Sequence, residues 1–147
     1  RMLHEYIEHA YLPAARAYTD RSTNDAALAK EIRQWTNQIR AEWHHIRLGR
    51  LWFTEGIDQA IAHVECWLDD IPMTAVRIQL YAEAIEGLPV SIVTLQEHHE
   101  LPGSVNGFVY SGPLPSGRNT SDYSVRIIPY HAAAMVPIEN QCIHWND

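Results

Sequence analysis

Residues 60–68 read AIAHVECWL, and apolar and polar side chains trade places along them almost step by step. Ala62, Val64, Cys66 and Leu68 fall on one side; Ile61, His63, Glu65 and Trp67 fall on the other. A repeat of two belongs to a pleated strand, because successive side chains leave its backbone in opposite directions. The stretch therefore predicts a strand with one face in a core and one face turned outward.

The same pattern continues on both sides. Downstream, the turn Asp69-Asp70-Ile71-Pro72 leads to a run in which Val76, Ile78 and Leu80 oppose Arg77, Gln79 and Tyr81. Gly87 and Pro89 introduce a run near Val90–Glu97, and Pro102-Gly103 with Asn106-Gly107 bound a turn before Phe108–Ser111. A loop holding Gly112, Pro113, Pro115 and Gly117 then precedes Tyr123–Tyr130, and Gln141–Trp145 closes the chain; upstream, Leu48–Thr54 reads as the first strand. Six or seven short strands without intervening helices predict an antiparallel sandwich of immunoglobulin-like type over residues 47–147.

Before Arg47 the period changes to about 3.6. Asp25 to about His45 predicts a helix with Leu28, Ile32, Trp35, Ile39, Trp43 and Ile46 on one stripe, preceded by candidate caps at Ser22, Thr23, Asn24 and Asp25. Met2–Ala15 predicts an earlier helix that Pro13 ends or kinks near Leu12. The fold class expected is α+β: a two-helix segment over residues 1–46, then the sandwich. A stripe as regular as that of Trp35 and Trp43 needs a surface to cover it. The first helix, the β module, a domain outside this chain or a second copy in a homodimer could each supply one.

With 147 residues the chain has room for one core, or a smaller domain with a helical appendage. Its net charge of −7 argues against general affinity for nucleic acid or anionic membrane. The charge is uneven, at +2 over residues 1–50 and −9 over residues 51–147. Two cysteines, Cys66 and Cys142, make no CxxC pair, and no signal peptide is evident. Reduced thiols in a cytoplasmic chain are expected. No run approaches the ~18 apolar residues of a membrane span. The first residue, Arg1, is read as the start of a piece cut from a longer polypeptide.

Nine histidines raise the question of a metal. Neighbours such as His44-His45 and His98-His99 diverge on a helix and oppose each other on a strand, so neither doublet chelates alone and no metal ligand set is expected. Cys66 and Cys142 read as buried thiols, no GxSxG elbow surrounds any serine, and Asp69-Asp70 reads as a solvated turn. What remains is contact with sugar, whose C–H faces stack on aromatic rings. Trp67, Tyr81 and Tyr130 are the candidates; Trp52 and Trp145 are expected in the core.

The last 27 residues, SDYSVRIIPYHAAAMVPIENQCIHWND at 121–147, hold Tyr-x-Val-Arg-Ile-Ile-Pro-x-His, then Val-Pro-Ile-Glu and Ile-x-Trp. The pattern, carried by Asp122, Tyr123, Arg126, Ile127, Ile128, Pro129, His131, Val136, Pro137, Glu139, Ile143 and Trp145, resembles the C-terminal tail of bacterial α-glucan (glycogen/maltodextrin) phosphorylases. Arg1-Met2, Glu5-Tyr6-Ile7 and Tyr11-Leu12-Pro13-Ala14-Ala15 are similar to the last helix of the phosphorylase catalytic region. The resemblance implies a C-terminal accessory fragment whose parent moves glucosyl units between α-1,4-glucan and phosphate, using pyridoxal phosphate. The partners it implies are the rest of that parent chain and α-glucan. The fragment itself is expected to lack catalysis and cofactor, since Lys30 is the sequence's only lysine and stands in Ala27-Leu28-Ala29-Lys30-Glu31, with no glycine-rich cradle. The alternative is a free-standing carbohydrate- or protein-binding sandwich.

Overall fold

The computed structural model describes residues 26–134 and 142–146. Helix α1 (Ala27–Glu42) runs into a 3₁₀ turn, Trp43–His45. Eight strands follow: β1 (Arg47–Glu55), β2 (Ala60–Trp67), β3 (Val76–Ala82), β4 (Ser91–Thr94), β5 (Gln96–Glu100), β6 (Gly107–Pro113), β7 (Ser124–Pro129) and β8 (His144–Trp145). The fold is α+β and mainly β, with two antiparallel sheets of four strands ordered β1-β2-β6-β5 and β4-β3-β7-β8. The earlier helix with its Pro13, the caps at 22–25, and Val136, Pro137 and Glu139 of the tail lie outside the described residues.

The alternation read in the sequence becomes the core. Ala62, Val64 and Cys66 of β2 meet Ile78 and Leu80 of β3 and Val125 and Ile127 of β7 in one cluster between the sheets, each at most 1% exposed. Removing a large aliphatic side chain of this kind from water is worth roughly 1.5–3 kcal/mol, and this burial holds the sheets face to face.

The run at Val90–Glu97 is two strands in different sheets, which raises the number from the expected six or seven to eight. β4 pairs with β3, β5 pairs with β6, and the single residue Leu95 carries the chain across. Its N–H donates to the Ile78 carbonyl at 2.8 Å, and its side chain is buried. β5 reads QEHHE and is exposed along its whole length, so no change of hydrophobic period marks the crossing.

The helical stripe is covered within the chain. Ile32, Trp35, Ile39 and Ile46 are buried, Leu28 and Trp43 are half-buried, and all six belong to the same cluster as the sheets. Of the surfaces considered for the seam, the β module therefore supplies one. His131, just after β7, fastens the contact. The Ala133 N–H donates to its Nδ1 at 3.1 Å, so the proton sits on Nε2 and points at Glu31 Oε1, 3.0 Å away. The His131 ring also lies 5.4 Å from the Trp35 ring.

Leu95→Ala should lower unfolding free energy by about 2–5 kcal/mol, the range for emptying a buried leucine site. Ile92→Ala, three residues away and 50% exposed, should cost under about 1 kcal/mol. Urea titrations of both variants check the contrast.

Candidate functional site

Antiparallel register decides which side chains share the outer face of the second sheet. Gln79 of β3 faces Thr94 of β4 and Arg126 of β7, and Arg126 faces Trp145 of β8. One step along, Tyr81 lies between Ile92 and Ser124. The Arg126 guanidinium carbon sits 4.8 Å from the Tyr81 ring centre and 5.6 Å from that of Trp145. The two rings meet edge to face, 5.6 Å apart at 79°. Arg126 Nε donates to Gln79 Oε1 at 3.0 Å, which fixes the guanidinium between the aromatics. Cation–π contacts of this kind contribute roughly 0.5–1 kcal/mol each at exposed sites.

Around this pair the chain forms an open groove of about 460 Å³, lined by Tyr81, Glu83, Ile85, Arg118, Asp122, Ser124 and Trp145. Arg118 comes from the loop between β6 and β7 and donates to the backbone carbonyls of Glu83 and Pro89, at 2.7 and 2.6 Å. Ser91 and Tyr123 share a hydrogen bond of 3.1 Å between their hydroxyls, tying β4 to the start of β7. The groove thus offers two apolar ring surfaces at a steep angle, exposed carboxylates of Glu83 and Asp122, and a guanidinium held in place. That set can stack on the C–H face of a polyhydroxylated ligand and hydrogen-bond its hydroxyls.

The expected sugar contacts are not brought together. Tyr81 lies in this groove. Trp67 is on the outer face of the first sheet, where Arg47 reaches over its ring at 5.4 Å. Its indole is sunk between two glycines: a Cβ on Gly49 would come within 2.6 Å of it, and one on Gly107 within 2.8 Å. Tyr130, past the end of β7, is covered by the Arg77 guanidinium at 3.8 Å. Trp145 and Trp52, expected in the core, are elsewhere. Trp145 is 39% exposed beside Tyr81, and Trp52 stacks on His63 at 5.2 Å on the outside of the first sheet. Of the tail motif, Tyr123 and Pro129 are buried, Arg126 and Trp145 line or support the groove, and His131 holds α1. Glu83, Arg118 and Asp122 were not among the expected contacts, because a charged residue in a Gly/Pro-rich loop or strand end carries no periodic signal.

The histidines also depart from expectation. A bulge between Glu97 and His99 brings the His98 and His99 rings to 5.0 Å, with His98 6.5 Å from His63. Both nitrogens of His63 are occupied, Nε2 with the Thr54 hydroxyl at 2.8 Å and Nδ1 with that of Ser111 at 2.7 Å. Burial, then the charges of His98 and His99, pull the His63 pKa below its ordinary value of 6.5.

No family model, curated protein or solved structure matches this chain. No helix among the described residues is long and apolar enough to cross a membrane.

Two predictions follow from titration. Burial pushes the Cys66 thiol up to about 12, so iodoacetamide at pH 8 should leave it unmodified in the native chain and alkylate it in urea, as peptide mass mapping would show. His63 is favoured neutral when folded, so its contribution to stability is complete above about pH 6.5 and is lost as pH falls toward the lowered folded pKa. The drop in urea midpoint between about pH 7.5 and 5.5 should be smaller in His63→Gln than in wild type.

Proposed function

We propose that this chain is a C-terminal accessory part of an α-glucan phosphorylase-type enzyme, and that its second sheet engages α-1,4-glucan. The Tyr81–Trp145–Arg126 groove carries this reading, because two of its three central residues, Arg126 and Trp145, are also residues of the phosphorylase-like tail motif. The strand order supports an immunoglobulin-like sandwich in the finer sense. With β1 to β8 taken as A, B, C, C′, D, E, F and G, the sheets become A-B-E-D and C′-C-F-G.

The enzyme it would belong to transfers glucosyl units between α-1,4-glucan and phosphate, with pyridoxal phosphate held outside this chain. Lys30, on the exposed side of α1, does not fit a Schiff-base lysine, which requires an enclosed site. The module's part is to hold polymer near the reacting domains, raising the local concentration of chain ends. A second reading, a protein-binding sandwich, draws on Ile85, Val90 and Ile92, each about half-exposed beside the same groove.

Calorimetric titration of maltoheptaose into the 147-residue chain, with cellohexaose as control, tests the glucan reading. Saturable binding should weaken by about tenfold or more in Trp145→Ala and in Tyr81→Ala, a loss of roughly 1.4 kcal/mol each. Failure of the wild type to bind, or equal binding by both variants, would remove it and favour the protein-binding alternative.

A further inference from the structure

The sequence Glu42-Trp43-His44-His45 places a carboxylate and an imidazole three positions apart, where α1 gives way to the 3₁₀ turn. At three residues per turn, side chains three apart lie one above the other. His45 Nδ1 accordingly stands 2.9 Å from Glu42 Oε2. A third group arrives from a different part of the chain. Asp69, just after β2, adopts a left-handed φ of 52°, uncommon for a residue with a side chain, and its carbonyl accepts from the Asn106 side-chain amide. The same amide donates to the Ile71 carbonyl at 3.1 Å, so the turn is held in place. Asp69 Oδ2 comes to rest 3.2 Å from the same Nδ1 of His45.

Two carboxylates therefore converge on one nitrogen that carries at most one proton. A single N–H shared between both acceptors bonds each less well than it would one alone, and two negative charges face one neutral or singly charged ring. A divalent cation would satisfy all three groups together. The spacing suits one: ligand atoms about 2.0–2.1 Å from a tetrahedral metal stand about 3.3 Å from each other. Two edges here measure 2.9 and 3.2 Å, and all three ligand atoms lie within 4.8 Å of one another.

His44, whose ring centre is 3.9 Å from that of His45, stands beside the set, and an adjoining cleft of about 350 Å³ leaves room for water on the open side. The nearby Arg47 guanidinium is drawn over Trp67 instead, at 5.4 Å. We propose that Glu42, His45 and Asp69 form a binding site for a divalent transition-metal ion of the zinc type. An imidazole nitrogen with two carboxylate oxygens selects such an ion over magnesium or calcium, which prefer oxygen alone. The bound ion joins the end of α1 to the turn between β2 and β3, and so fastens the helix to the sandwich independently of any glucan.

The test is calorimetric titration of zinc chloride into the untagged chain, together with thermal melts at several zinc concentrations. One zinc per chain should bind, and the melting temperature should rise with zinc, since a ligand of the folded state alone stabilises it. His45→Gln, and separately Asp69→Asn, should weaken binding by about 100-fold or more and abolish the rise in melting temperature, since even losing an outer partner of a metal ligand costs 10–100-fold. The double variant His98→Gln/His99→Gln should bind as wild type does. Absence of stoichiometric binding by the wild type overturns the proposal. So does binding that persists in folded His45→Gln, or that disappears in the His98/His99 variant, either of which would put the ion elsewhere.

Discussion

One buried leucine decides how the two sheets are joined. β4 and β5 are separated only by Leu95, yet they are edge strands of opposite layers, so the chain passes from one layer to the other at the sheet edges within one residue. That requires an apolar side chain to fill the gap and a partner for the backbone N–H, which Ile78 provides from β3. It also requires space on the facing strand. Gly112 of β6 supplies that space, since a Cβ there would lie 2.9 Å from Leu95 Cδ2. The two outer faces follow from this joint. Tyr81 and Trp145 are set on one, Trp67 and His63 on the other, and no single ligand of modest size reaches both.

Three residues near the end of the chain, Tyr123, Arg126 and His131, take up distinct physical tasks in different parts of the fold. Arg126 supports two aromatic rings. His131 reaches back a hundred positions to Glu31 and closes the helix onto the sheets. Tyr123 anchors an edge strand through Ser91. Each joins elements that the hydrophobic pattern alone would leave free to slide, because burial is indifferent to direction and hydrogen bonds are not.

Where side-chain alternation or a helical stripe reports directly on burial, the sequence was legible. The helix near Asp25–His45, the strands at 48–54, 60–68, 76–81 and 108–111, and the inward set of β2 all follow from period and turn residues. The crossing at Leu95 was hidden because the strand after it, Gln96–Glu100, is polar and exposed throughout and so carries no alternation of its own. Trp145 was misplaced because a large aromatic is ordinarily a core residue, and only its register opposite Arg126 shows that it faces out. The groove's Arg118 was hidden for another reason: its role depends on backbone carbonyls of Glu83 and Pro89, far away in the chain. The Glu42–His45 spacing was visible in principle. Its relation to Asp69 was not, since that depends on a turn held by Asn106.

Trp67 with its two flanking glycines is a unit divided among three strands or their ends, and it constrains how this surface can vary. An alanine at Gly49 or Gly107 would strike the indole, while a smaller residue in place of the tryptophan would leave a trench over bare backbone. Single substitutions at any of the three positions are therefore penalised, and at Gly107 the penalty outlasts the tryptophan, since a Cβ there would also strike the Ser104 hydroxyl. Across diverging copies of this chain, a side chain at either glycine should appear only where the broad ring has gone, and at Gly107 only where Ser104 has changed as well.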